Sequence, residues 1–320
     1  MRVAVTGATG MIGRQVVEEL LRRGDEVTVL SRDAAKGRET FGGRVEAHAW
    51  RCPREEPAPA EALAGRDGVV NLLGEPLDQR WTDAAKREIR DSRVLGTRNL
   101  VAALQSLDED SDRGAHAPRE TLAARGRPSV LVSQSASGYY GSHGDEPVDE
   151  SEAPGDDFLA GVCAEWEAEA ARADALGMRV AITRTGVVLS AEGGALKEMM
   201  LPFKLGVGGP VAGGRQYVPW VHADDVAGAI AHCLESEAAS GPINVTAPRP
   251  ATNADLSKAL GRALRRPAIM PVPALAVRAL YGEMALTVTT GVRAVPKRLQ
   301  ALGYEFRRPE LEPALRAAVG

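Results

Sequence analysis

Short runs of β-branched and aliphatic residues alternate with amphipathic stretches along most of the chain. "RVAVT" (2–6) reads as a strand, and "MIGRQVVEELLRRG" (11–24) as a helix. In the latter Ile12, Val16, Val17, Leu20 and Leu21 recur at helical spacing, and Gly24 follows as a C-cap. Further strands are expected at "EVTVLSR" (26–32), "VEAHAW" (45–50), "GVVNLLG" (68–74), "SVLVSQSAS" (129–137) and "RVAITRTGVVL" (179–189). Long helices are expected at 83–104 and 158–177. Continuous apolar strands separated by helices predict a parallel sheet covered on both faces, the doubly wound α/β Rossmann arrangement.

Two stretches break this rhythm. Residues 106–128 alternate acids and arginines with Gly and Pro and carry no apolar period, which predicts a surface insertion. After 190 the chain becomes rich in Gly and mixes in Met, Phe and Lys before "QYVPWVHADDVAGAIAHCLE" and "PINVTAP" return to strand and helix. Helices near 252–265 and 273–285 follow. The expected organisation is a nucleotide-binding domain of residues 1–189 plus 215–245. A smaller, interleaved C-terminal α/β substrate domain is expected from 190–214 plus 246–320.

The 320 residues carry a net charge of -4, so neither nucleic acid nor an anionic membrane is an expected partner. Three dispersed cysteines and five scattered histidines form no metal or redox motif. No stretch approaches the ~20 apolar residues a membrane helix needs. The expectation is a cytoplasmic protein with reduced thiols, no metal and a small-molecule substrate.

"VTGATGMIG" sets Gly7, Gly10 and Gly13 between the first strand and its helix. Gly7 permits a tight turn, Gly10 lets backbone approach a pyrophosphate, and Gly13 lets the helix lie close to the sheet. Unpaired N–H groups and the helix dipole then face the phosphates. At the end of the second strand stand Ser31 and Arg32, where an acid would bind the 2′-hydroxyl of NAD. A guanidinium suits a 2′-phosphate, with charge-assisted hydrogen bonds of ~1.5–3 kcal/mol each. NADP(H) is therefore expected over NAD(H).

The G-x-x-G-x-x-G spacing, with "NLLGEPLDQRWT", "KREIRDSRVLGTRNL", "SASGYYG", "DFLAGVCAEWE", "RTGVVLS", "GGALKEMMLPFKLGVGGP" and "VPWVHADD", resembles the atypical, epimerase-like group of extended short-chain dehydrogenase/reductases. The resemblance spans nearly the whole chain outside 106–128. It implies NADP(H) bound by the glycine loop (Gly7, Thr9, Gly10, Met11, Ile12, Gly13) and by Ser31 and Arg32. It also implies contacts from Leu72, Leu73 and Gly74, from Glu88 and Arg93, and from Val188. Without it, Glu88 and Arg93 read as a solvated helix pair. It further implies a homodimer formed through the helices near 83–104 and 158–177.

One departure matters. Relatives of this kind carry a Tyr and, four residues later, a Lys, where this chain has Phe158 and Val162. Phe158 cannot move a proton and Val162 cannot carry charge. Ser135 fits the serine that holds a substrate oxygen, with Ser133 as the alternative. Two readings follow. Either proton transfer has moved to Tyr139 or Tyr140, assisted by Asp157, Glu150 or Glu165, or turnover is lost and NADP(H) binding kept. A partner-binding role for 106–128 is a third reading. The segment 193–220 is expected to roof the site, with Lys197, Met200, Arg215 and Trp220 offering a mixed apolar and basic pocket. Val218 stands where sugar-nucleotide epimerases typically place a diphosphate-gripping Arg, which weighs against a sugar nucleotide. Asp224 is expected to N-cap the following helix.

Overall fold

The computed structural model describes residues 1–113 and 126–320. Its centre is a seven-stranded, all-parallel sheet. The chain enters through β1 (Arg2–Thr6), α1 (Met11–Arg22), β2 (Glu26–Ser31), α2 (Ala34–Thr40), β3 (Glu46–Ala49), α3 (Ala60–Leu63) and β4 (Gly68–Asn71). The long α4 (Asp83–Arg113) leads to β5 (Val130–Ala136), a 3-10 turn over Ser137–Tyr140 and the short β6 (Pro147–Val148). Then come α5 (Phe158–Ala171), β7 (Arg179–Thr185), β8 (Val187–Leu189), α6 (Gly194–Lys204), β9 (Tyr217–Val218), β10 (Trp220–His222), α7 (Ala223–Glu235) and β11 (Gly241–Val245). The carboxyl part adds β12 (Ala251–Thr252), α8 (Asn253–Leu264), α9 (Ala274–Tyr281), α10 (Leu286–Thr289), β13 (Arg293–Ala294), α11 (Lys297–Ala301) and α12 (Leu311–Val319).

The sheet order is β11-β7-β5-β4-β1-β2-β3. The strands are apolar on both faces because helices cover both. One apolar cluster joins Val16, Val17 and Leu20 of α1 and Val226 and Ile230 of α7 to Val3, Val5 and Val132. The opposite cluster joins Leu100 and Leu104 of α4 and Ala170 of α5 to Ala4, Val69, Leu131 and Val180. A third forms in the carboxyl part, from Leu196 and Phe203 of α6, Leu256 and Leu260 of α8, and Leu315 of α12.

Two expectations are corrected. The helix expected to stop at 104 runs to Arg113. Leu107 is buried beside Leu100 and Leu104, so the apolar stripe continues at i+7 and i+3 into what reads as charged sequence. Of the expected insertion, residues 114–125 lie outside the described residues. The run 179–189 is two strands rather than one. At Gly186 a Cβ would stand 1.9 Å from the Pro219 carbonyl oxygen. The chain turns there, leaving β7 in the main sheet between β5 and β11, while β8 pairs with β10.

A buried polar chain ties the carboxyl ends of the central strands. Thr6 Oγ1 donates to Asn71 Oδ1 at 2.9 Å and accepts from the Leu72 N–H at 3.1 Å. Asn71 Nδ2 donates to Thr97 Oγ1 and Ser133 Oγ, and Trp166 Nε1 donates to the same Thr97 oxygen at 2.9 Å. Being buried, these groups are costly to leave unpaired, so the chain fixes β1, β4, β5, α4 and α5 relative to one another.

Candidate dinucleotide site and its altered proton-transfer end

The turn between β1 and α1 is shaped by two close approaches. Gly7 has φ +63°, and a Cβ there would lie 2.4 Å from the Leu72 carbonyl oxygen. A Cβ on Gly13 would lie 2.2 Å from the Gly7 carbonyl oxygen and 2.7 Å from Ala8 backbone. Only glycine fits either place. Gly10 is the N-cap of α1, contributes no side-chain cap, and no acid stands in the first turn. The turn that carries Thr9, and the start of the helix at Met11 and Ile12, thus presents backbone without a competing anion, the geometry that accepts a pyrophosphate.

Other elements close around this turn. Gly193 and Gly194 pass over Met11, where an added Cβ would be 3.4–3.6 Å from its side chain. Glu192 faces Arg14 and Gln15 of α1 at 3.5 Å. The start of the segment expected as a roof therefore lies against the mouth of the glycine turn. Val188 is buried on β8 behind it. Leu73 lies against Gly96 of α4, and Gly74 lies beneath the Arg93 guanidinium.

Arg93 and Glu88 do not form the solvated pair that their sequence alone suggests. Five positions apart, they point from different faces of α4. Arg93 donates to the carbonyls of Ile89 and Glu75 at 2.9 and 3.0 Å and lies 5.4 Å from the Trp166 ring. Burial pushes its pKa down. Glu88 pairs with Arg54 in solvent.

Ser31 Oγ accepts from the Asp33 N–H. Asp33 spends its Oδ1 on the N–H groups of Ala35 and Lys36 rather than on Arg32. The Arg32 side chain is 78% exposed and pairs loosely with Glu75 at 3.7 Å. An open pocket of about 470 Å³ lies beside it, lined by Arg32, Asp33, Ala34, Ala35, Ala49 and Arg51. Arg51 escaped the sequence reading because the loop after β3 carries no motif.

The other end of the groove holds a buried polar network. Ser135 is fully buried, and its Oγ donates to Glu167 Oε1 at 2.6 Å. Arg184 grips both Glu167 oxygens at 2.9 Å and donates to Tyr140 Oη at 3.1 Å. Tyr140 is also fully buried and donates to Asn244 Oδ1 at 2.6 Å. Burial pushes its pKa up to about 12. Glu150 accepts from the N–H groups of Asn244 and Arg298. Ser135 and Tyr140, expected as catalytic groups, are therefore members of a buried hydrogen-bonded network. The alternation of strand β5 turns Ser135 under α5 instead of toward the groove. Tyr139 is half-buried, with its ring 3.4 Å from the Arg184 guanidinium carbon.

Phe158 begins α5, capped by Asp157, whose Oδ1 accepts from the Ala160 N–H. The Trp81 ring meets Phe158 edge-on at 5.3 Å, and Lys86 Nζ stands 5.0 Å from the Phe158 ring centre. Lys86, delivered by α4 and paired with Glu283, thus sets a cation beside Phe158. Its distance in sequence from Phe158 hid it. Glu165 pairs with Arg90 in solvent, away from this end.

The four residues of the expected mixed pocket divide between core and surface. Met200 and Trp220 are buried in the carboxyl-part core with Leu196 and Phe203, and Trp220 Nε1 donates to the Arg249 carbonyl. Lys197 and Arg215 are exposed. The N-cap of α7 is His222, not Asp224: its Nδ1 accepts from the Asp224 N–H at 3.1 Å. Burial pushes the His222 pKa down, which favours that acceptor role. Asp225 instead fastens the carboxyl tail, accepting from Tyr304 Oη and the N–H groups of Arg307 and Arg308.

The parallel sheet, the glycine turn and the groove above the strand ends define an extended Rossmann-type dinucleotide-binding protein. The chain belongs to the NAD dependent epimerase/dehydratase family, whose model matches residues 3–246; a domain of unknown function, DUF1731, matches residues 272–318. The human epimerase family protein SDR39U1 is 37% identical, with all of both chains covered. The Bacillus subtilis epimerase family protein YfhF is 35% identical over 98% of this chain and 97% of its own. A crystal structure of human SDR39U1 (isoform 2) with NADPH superposes with a TM-score of 0.83, at 34% identity and 99% coverage of both chains. The UDP-glucuronic acid 4-epimerase of Bacillus cereus, in complex with UDP-glucuronic acid and NAD, shares the fold at a TM-score of 0.74 and 16% identity, covering 99% and 98%. Among the described residues no helix is long and apolar enough to cross a membrane, and no cluster of three metal-binding side chains occurs.

Proposed function

We propose that this protein binds NADP(H) and acts as an epimerase-like oxidoreductase on a small carbonyl or hydroxyl compound. The observation that carries the cofactor is the turn where Gly7 and Gly13 leave no room for a Cβ beside backbone oxygens. NADPH in the similar human protein supports the same reading. Gly7, Gly10 and the start of α1 would hold the pyrophosphate, with Leu72 and Leu73 beneath it. Ser31 and Arg32 would meet the adenosine ribose and its 2′-phosphate. Bound NADPH supplies a hydride, and this chain's residues must position the acceptor and deliver the proton. Tyr139, half-buried against Arg184, and Lys86, beside Phe158, would serve as the proton-transferring groups at that end.

The internal network favours a second reading, in which NADP(H) is bound without turnover. A panel of small aldehydes, ketones and keto acids, followed by loss of NADPH absorbance, separates the two. Turnover that falls when Tyr139→Phe is made supports the enzyme with a displaced acid. Turnover indifferent to Tyr139→Phe and to Lys86→Met contradicts these residue roles. Tight NADPH binding with no oxidation across the panel supports the second reading. The same reading takes the protein to be cytoplasmic and to pair with a second copy through α4 and α5.

A further inference from the structure

We infer that Arg51 is the second arm of a two-arginine clamp on the 2′-phosphate, so that cofactor choice is set by the ends of two adjacent strands. The inference rests on the NADP(H) reading and deepens it. Strand register brings the two arginines together. Ser31 pairs with Ala49 across β2 and β3, and the Trp50 N–H continues the ladder to the Ser31 carbonyl at 2.8 Å. Arg32 and Arg51 therefore leave neighbouring parallel strands at nearly the same level, ~4.8 Å being the usual strand separation.

The loop that carries Arg51 is fastened on both sides of it. Trp50 is 2% exposed, and its Nε1 donates to the Glu56 carbonyl at 3.1 Å. The Cys52 N–H donates to Glu56 Oε1 at 3.0 Å. The Arg51 side chain itself is exposed and has no ion-pair or hydrogen-bond partner among the described residues. Between the two arginines lies the pocket whose floor is Ala34, Ala35 and Ala49, small residues that leave space for a ligand group. The one acid in the lining, Asp33, turns Oδ1 into the first turn of α2. Two guanidinium groups around one such pocket match a phosphate dianion, since each offers paired N–H donors to its oxygens. A plain 2′-hydroxyl carries no charge and would gain little from the second cation.

The test is a calorimetric titration of the wild type, Arg51→Gln, Arg51→Lys and Arg32→Gln with NADPH, NADH, 2′,5′-ADP and AMP. Loss of a charge-assisted contact should weaken NADPH and 2′,5′-ADP by roughly ten- to hundredfold in Arg51→Gln, with NADH and AMP changed less than about threefold. Arg51→Lys should recover part of the loss. Equal weakening of NADPH and NADH would overturn the clamp and make Arg51 a wall for the adenine. Unchanged binding of all four would also overturn it, leaving Arg32 alone. Wild type that binds neither dinucleotide would overturn the NADP(H) reading itself, a result distinguishable from the other two.

Discussion

The two ends of the groove follow different rules. At the glycine turn, the ligand-facing surface is backbone, and side chains are absent where they would intrude: Gly7, Gly10 and Gly13. At the far end, side chains that are polar enough for proton transfer are present but are turned inward. Ser135, Glu167, Arg184, Tyr140 and Asn244 satisfy one another. One end is kept open by sterics, and the other is closed by hydrogen bonding. One fold therefore carries an open backbone cradle at one end and a closed polar network at the other.

The largest expected effect tests the closed end. Arg184→Met strands a nearly buried Glu167 carboxylate and should cost about 3–5 kcal/mol of stability, read by urea denaturation. A near-neutral result would mean that the network does not hold that end, and the contrast would fail. The open end comes next. Gly13→Ala places a methyl 2.2 Å from the Gly7 oxygen, so it should destabilise the fold by about 1–3 kcal/mol and weaken NADPH in calorimetry by more than about tenfold. Undiminished binding would show that the turn is looser than its contacts indicate.

A smaller effect concerns how α1 is held in place. Hydrogen bonds from Arg307 pull the Glu19 pKa from 4.5 to about 2, against a burial penalty and with help from Arg22. A folded-state pKa below the unfolded one stabilises the fold above the unfolded value and is lost as pH falls through the folded one. Thermal midpoints should therefore fall between pH 4.5 and about 2, and Arg307→Met should flatten that part of the profile. The Arg307 side chain is 41% exposed, so solvent screening limits the effect to about 1 kcal/mol. The smallest change sharpens the reactive end. Phe158→Tyr would set a phenol beside Lys86, and the cation should pull its pKa below the ordinary value of about 10 in an ultraviolet titration. A pKa at or above that value would remove Lys86 from the site.

The sequence announces the open end because its features are local: three glycines within seven residues, and an arginine directly after a strand. Strands 2–6, 26–32 and 68–74 were legible for the same reason, since burial on both faces writes a continuous apolar run. The closed end was misread because its logic is long-range. Nothing near Ser135 reveals Glu167 of α5 packed against it, and nothing near Tyr140 reveals Asn244. Lys86 and Arg51 were missed because each reaches its place through strand or helix packing. Trp220 and Met200 were assigned to a pocket by chemistry alone, but Leu196, Phe203 and Leu256 enclose them in a core.

The most direct measurement is a calorimetric titration of the purified protein with NADPH and, separately, NADH. The account predicts micromolar NADPH binding with NADH weaker by at least about tenfold, as two charge-assisted arginine contacts require. Equal affinities would contradict the role given to Arg32 and Arg51. Absence of binding by either nucleotide would contradict the claim that the cradle has been kept for a cofactor.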